Sequence, residues 1–203
     1  MTAAKSSPPG ARPGILWWLL AAAATAVGIY GMLMQDARAN GGMVPGMPWL
    51  DAVHFVAGGL ALTIGIWGFR RDVLARWPGL HRRVGQLYVL AVLASGTAGL
   101  AMACYSLGGL AGHIGFAMLA IGWLGTTALG WQRIHHRKIA AHRRWMVRSY
   151  ALSCAAITLR IQLGPLVMMT GSSAAAFQIV SFSCWVPNLL FAEWWLRRDR
   201  RRR

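Results

Sequence analysis

PWLDAVHFVAGGLALTIGIWGFRR (48–71) carries one acid, Asp51, and one imidazole, His54, before its first arginine. The apolar run to Phe69 is as long as the about 20 residues a helix needs to cross hydrocarbon roughly 30 Å thick. Unpaired backbone is not tolerated in lipid, so a block of this kind reads as a helix. Five more blocks follow the same pattern, near residues 15–34, 84–106, 110–131, 146–168 and 174–196. The chain is 56% hydrophobic and 13% charged, and five acids in 203 residues are too few to dress a water-soluble surface. The fold class expected is all-α, a polytopic membrane bundle of about six transmembrane helices.

The net charge of +16 first suggests nucleic acid, but its placement points elsewhere. Lys5 and Arg12 precede the first block, and Arg70, Arg71, Arg76, Arg82 and Arg83 separate the second from the third. Arg133, Arg137, Lys138, Arg143, Arg144 and Arg148 separate the fourth from the fifth, and six arginines from Arg197 to Arg203 close the chain. In a six-span chain all of these fall on one side; Arg38 alone falls opposite, and Arg160 lies within a span. The positive-inside rule then places both termini in the cytoplasm. The expected partner is the lipid bilayer, with attraction to anionic lipid and no nucleic acid.

Residues 1–14 (MTAAKSSPPGARPG) read as a flexible tail, 15–196 as one transmembrane domain, and 197–203 as a basic tail. The first block has some marks of a signal peptide, including Ala37-Arg38-Ala39, but its apolar run exceeds the usual length, which favours a retained helix. QDARANGGMVPGMPW (35–49) reads as an outer loop. Trp17, Trp18, Trp49, Trp131, Trp145, Trp194 and Trp195 fall near block ends, as in an interfacial aromatic belt. Cys104, Cys154 and Cys184 sit inside apolar blocks and read as small buried hydrophobes.

Two hairpins show a weak repeat. His81 opens HRRVGQLY and His142 opens HRRWMVRSY, while His54 and His113 each open the preceding apolar run. The helix rises about 22 Å from His54 to Phe69 and about 27 Å from His113 to Trp131. His54 and His113 thus belong to the outer third of the membrane, and His81 and His142 to the cytoplasmic side. Ionisable groups within spans are costly and mark candidate sites. Imidazole ligates haem iron, and a bundle can clamp a flat cofactor between facing side chains. Each pair therefore reads as a candidate pair of haem-iron ligands, the outer from His54 and His113, the inner from His81 and His142. The competing reading makes the outer pair interhelical packing groups and the inner pair part of the headgroup anchor. His135 and His136 lie in a basic loop and read as solvated.

Arg160 sits at the depth of the outer pair, where it either meets a haem propionate or reaches the interface or Asp51. Glu193 reads as the partner of a nearby arginine. Tyr88 and Tyr150 follow the HRR motifs by about two turns and face the same bundle.

LHRRVGQLY (80–88), HRRWMVRSYALSCAAITLR (142–160) and NLLFAEWWL (188–196) resemble a bacterial membrane family catalogued as domain of unknown function 2306. That resemblance implies a multi-pass protein of the bacterial inner membrane and supplies no reaction. A more distant likeness is to cytochrome b561, a six-helix family with two haems. It implies ligands on helices two to five, two pairing with four and three with five, a distribution that His54, His81, His113 and His142 match. Leu80-His81 with Gly85 also resembles that family's Leu-His-x-x-x-Gly element. Arg82 and Arg83 immediately after His81 depart from it.

The function expected is that of a b-type cytochrome passing electrons across the membrane through one or two bis-histidine haems, with a redox partner. The alternatives are a small transporter, for which Arg160 and scattered Thr and Ser side chains are the polar groups on offer, and a cofactor-free assembly or structural protein. No Gly-x-Ser-x-Gly, His-Glu-x-x-His, P-loop or dinucleotide-binding pattern is present, so neither hydrolysis nor nucleotide binding is expected.

Overall fold

The computed structural model describes residues 14–37, 43–70 and 76–201. The tail up to residue 13, Arg38 with the centre of the small-x-small site, Arg71 and residues 202–203 lie outside them. The described residues form helices and no strand. These are α1 (Ile15–Ala37), α2 (Pro48–Gly65, prolonged by a 3₁₀ turn Ile66–Phe69), α3 (Pro78–Ala103) and α4 (Gly109–His135). The remainder are α5 (Ile139–Ser153), α6 (Ala155–Thr170), α7 (Ser173–Ser183) and α8 (Val186–Arg201). The pairs α5–α6 and α7–α8 each make one span.

Among the described residues five spans are long and apolar enough to cross a membrane: Pro48–Phe69, Pro78–Ala103, Gly109–His135, Ile139–Thr170 and Ser173–Arg201. In α1 the apolar stretch Trp17–Gly31 is shorter. The outside of the bundle is apolar, with Met168 86% and Leu110 75% exposed. Membrane helices pack instead through small residues, because lipid gives no hydrophobic drive between them. The α1–α2 contact shows this. Ala24 is fully buried, and a Cβ added at Gly28 would lie 2.8 Å from the Gly59 carbonyl oxygen.

Helix starts differ from the apolar blocks. Helix α3 begins six residues before Val84, at Pro78, and α5 begins seven before Met146, at Ile139. Hydropathy fades at the Arg-Arg pairs, but arginine is a good helix former and its stem covers apolar surface. Proline at the first helical position helps start α2 and α3. This extension places His81 and His142 inside helices.

Spans five and six are each interrupted, at Cys154 and Cys184. Pro187 has no N–H for the Ser183 carbonyl four residues earlier, and Gln162 Nε2 donates to that carbonyl instead at 3.2 Å. Ser183 Oγ returns a hydrogen bond to Gln162 Oε1 at 2.6 Å. The Cys184 carbonyl accepts from Thr158 Oγ1 and from Asn188 Nδ2. The interruption of span six is thus laced by side chains of span five.

Helix α2 lies across the rings of Tyr88 and Tyr150. A Cβ at Gly65 would sit 2.7 Å from both rings, whereas one at Gly125 would meet nothing within 4 Å. Gly65→Val is expected to lower stability by about 1–3 kcal/mol through overpacking. Gly125→Ala is expected to be neutral or slightly stabilising. Thermal unfolding of the two purified variants in detergent checks the contrast.

Candidate functional site

Helix α4 presents one face to α5. Trp123, Thr127 and Gly130 recur along it at helical spacing, and they meet Ser153, Ser149 and His142 in antiparallel order. At the last of these contacts His142 Nδ1 lies 2.8 Å from the Gly130 carbonyl oxygen. A carbonyl only accepts, so Nδ1 carries the proton and Nε2 of the neutral ring is left with its lone pair. Ring nitrogens of histidine ligands are commonly oriented in this way. His81 lies in the first turn of α3.

The pairing of His81 with His142 follows from register. Helices α3 and α5 both start at the basic end, and Tyr88 O–H lies 2.7 Å from Ser149 Oγ. His81 precedes Tyr88 by seven residues, and His142 precedes Ser149 by seven. Seven residues are two turns, so both imidazoles lie about 10 Å nearer the basic end on the faces that carry Tyr88 and Ser149. Helix α3 packs on α2 and α4, and α5 on α4 and α8, so the two histidine helices stand diagonally across the bundle.

A hydroxyl cluster roofs this layer. Thr127 Oγ1 donates to the Trp123 carbonyl at 2.8 Å, and Ser153 Oγ donates to the Ser149 carbonyl at 3.2 Å. Trp123 Nε1 donates to Ser153 Oγ at 3.0 Å. Ser149 then gives its proton to Thr127 Oγ1 at 2.7 Å, which leaves Tyr88 to donate to Ser149 or, at 3.0 Å, to Ser153. Every donor in the cluster finds an acceptor. Tyr150, one residue beyond Ser149, turns to α2 and donates to the Leu62 carbonyl at 3.1 Å, with Phe69 beside its ring.

The outer histidines are placed differently. His54 Nδ1 donates to the Ser95 carbonyl at 2.9 Å, Ser95 Oγ donates to the His54 carbonyl at 2.8 Å, and the imidazole lies against Gly99. His113 donates through Nε2 to the Ser106 carbonyl at 3.2 Å. One ring is bonded to α3, the other to the loop after it, and no described interaction joins the two. Arg160 donates to the Ala156 carbonyl at 2.8 Å, lies over the Tyr30 ring, and interacts electrostatically with His54, as does Asp51. Asp51 is buried and accepts from the Met43 N–H at 2.7 Å. Glu193 pairs with Arg148 on both carboxylate oxygens. Among the described residues no group of three or more His, Cys, Asp or Glu could hold a metal ion.

Two residues at the inner layer were not among the candidates read from the sequence. Gly130 matters only through its carbonyl, which no residue-type search can find. Arg133, on the same α4 face one turn nearer the basic end, has a buried Nε without a hydrogen-bond partner. The single hint was its position just short of the His135-His136 turn.

Ser149→Ala is expected to cost only about 1 kcal/mol, because Tyr88 can turn to Ser153. The Ser149→Ala/Ser153→Ala double variant is expected to lose more than the sum of the single losses, since the Tyr88 O–H and the Trp123 N–H are then both stranded. A double-mutant cycle on unfolding in detergent measures the excess.

No curated protein and no solved structure matches the chain. The family described as predicted membrane protein (DUF2306) matches residues 52–196, nearly all of α2 and most of α8 with everything between. The chain is a multi-pass helical membrane protein, and it belongs to that family.

Proposed function

We propose that this protein is a membrane electron carrier that holds a b-type haem between His81 and His142. The basic end of the bundle would face the cytoplasm of a bacterial inner membrane. The observation that carries this reading is the shared register of α3 and α5. It sets two imidazoles across a bundle diagonal, one of them already oriented by the Gly130 carbonyl with Nε2 left to coordinate.

The residues present fit the group. Gly85, one turn after His81, leaves open space where a Cβ would stand, so α3 admits a flat ring there. The partnerless Arg133 Nε–H suits a propionate carboxylate. Tyr88, Tyr150 and Phe69 form an aromatic roof that keeps the outer half of the bundle from reaching the layer. A bis-histidine haem supplies one-electron transfer without a vacant coordination position. The chain's own part is to fix the two rings, dry the site and place a positive charge beside it.

Assigning the inner pair reverses the weight of the outer one. His54 and His113 fit interhelical packing better, since no described interaction joins them and His113 spends Nε2 on a backbone carbonyl. One haem per chain is therefore the stoichiometry proposed.

Protein purified in mild detergent from haem-replete cells is expected to give a low-spin b-type spectrum at about one haem per chain. His142→Ala and His81→Ala should abolish it, and His54→Ala should retain it. A colourless protein with a negative pyridine haemochrome test would overturn the proposal and leave a cofactor-free packing role for the four histidines. Arg133→Gln should keep the haem and lower its midpoint potential, because removing a positive charge disfavours the reduced form.

A further inference from the structure

A short turn precedes α2 at the end of the bundle away from the arginines. In Val44-Pro45-Gly46-Met47 the Met47 N–H donates to the Val44 carbonyl at 3.1 Å, and Gly46 takes a φ of 74°. Proline second and left-handed glycine third make a type II turn, a stiff unit that moves as one piece. Two described contacts hold it down. The Val44 side chain is 1% exposed and packs with Leu50 of α2 and with Ala98 and Met102 of α3. Just before it, the Met43 N–H donates to Asp51 Oδ2 at 2.7 Å.

Beneath this turn lies the His54–Ser95 pair, with the imidazole against Gly99. Ala98 and Met102 follow Ser95 and Gly99 by three residues, and Leu50 precedes His54 by four. Val44 therefore plugs the crevice between α2 and α3 about one helical turn outward of the imidazole.

The closure carries an opposing cost. Asp51 is buried, yet its Oδ1 finds no hydrogen-bond partner among the described residues. A stranded buried oxygen favours any state in which water reaches it. Shutting the turn gains the Met43 bond and the burial of Val44, and it leaves half of the Asp51 carboxylate unsatisfied.

We propose that the turn at residues 44–47 is a lid over the His54–Ser95 pair, with Asp51 as its latch. Shut, it keeps the outer aqueous phase from the imidazole. Open, it hydrates Asp51 Oδ1 and admits water to His54 Nε2, the nitrogen left with a lone pair when Nδ1 donates to Ser95. The proposal does not depend on the haem reading, which concerns the inner pair.

The test uses the full-length protein in lipid nanodiscs, with diethyl pyrocarbonate as the probe of unprotonated imidazole and mass spectrometry as the readout. In the wild type His54 is expected to react about tenfold more slowly than the exposed His135 and His136. Val44→Gly, which removes the plug, and Gly46→Val, which strains the turn, should each speed the labelling of His54 and leave that of His113 unchanged. Asp51→Ala, which takes the acceptor from the Met43 N–H, should act in the same direction. Wild-type His54 labelled as fast as His135, or protection that persists in both turn variants, would overturn the lid. So would a parallel rise at His113, which marks general loosening. Protection that persists in Asp51→Ala alone would overturn the latch.

Discussion

The hydrogen bond between Tyr88 and Ser149 fixes how far α3 and α5 can slide past each other. In water such a contact is replaceable by solvent, but in hydrocarbon a hydroxyl must find its partner within the bundle. Thr127, Trp123 and Ser153 hold the two partners from the side, so the register is set by a cluster and not by one bond. Everything nearer the basic end inherits that register, including the levels of His81 and His142.

The two HRR motifs contribute unequally to this layer. Tyrosine follows the histidine by seven residues in one and by eight in the other. One extra residue turns a helix position by about 100°. In α3 the tyrosine therefore points across the diagonal, while in α5 a serine takes that place and the tyrosine is sent to α2. A strict copy would have set two phenols against each other. The offset supplies an acceptor for one phenol and a second anchor for the other.

Much of the architecture is legible from hydropathy alone. The six apolar blocks correspond to α1 and the five longer spans, and the tryptophans cluster with arginines at the basic end. Block edges were less well marked, because Arg82, Arg83, Arg143 and Arg144 continue helices that hydropathy counts as loops. The seven-residue spacings of His81 from Tyr88 and of His142 from Ser149 could be counted from residue numbers. Which ring nitrogen is occupied could not, since the carbonyls of Gly130, Ser95 and Ser106 carry no signature in a sequence. The hydroxyl cluster was hidden for a related reason: serine and threonine are ordinary in membrane helices, and only the packing of α3, α4 and α5 makes theirs a closed set.

The laced interruption at Cys184 bears on how the chain is made. Gln162 and Thr158 leave the ribosome well before the carbonyls of Ser183 and Cys184 that they serve. Until then α6 carries the Gln162 amide into a membrane that holds no permanent partner for it. Span six in turn carries a proline-freed carbonyl that it cannot satisfy alone. Neither half is a good substrate for release into lipid by itself. The last two spans therefore gain from leaving the insertion machinery as a joined hairpin, with the closing segment of the chain deciding when the preceding one is finished.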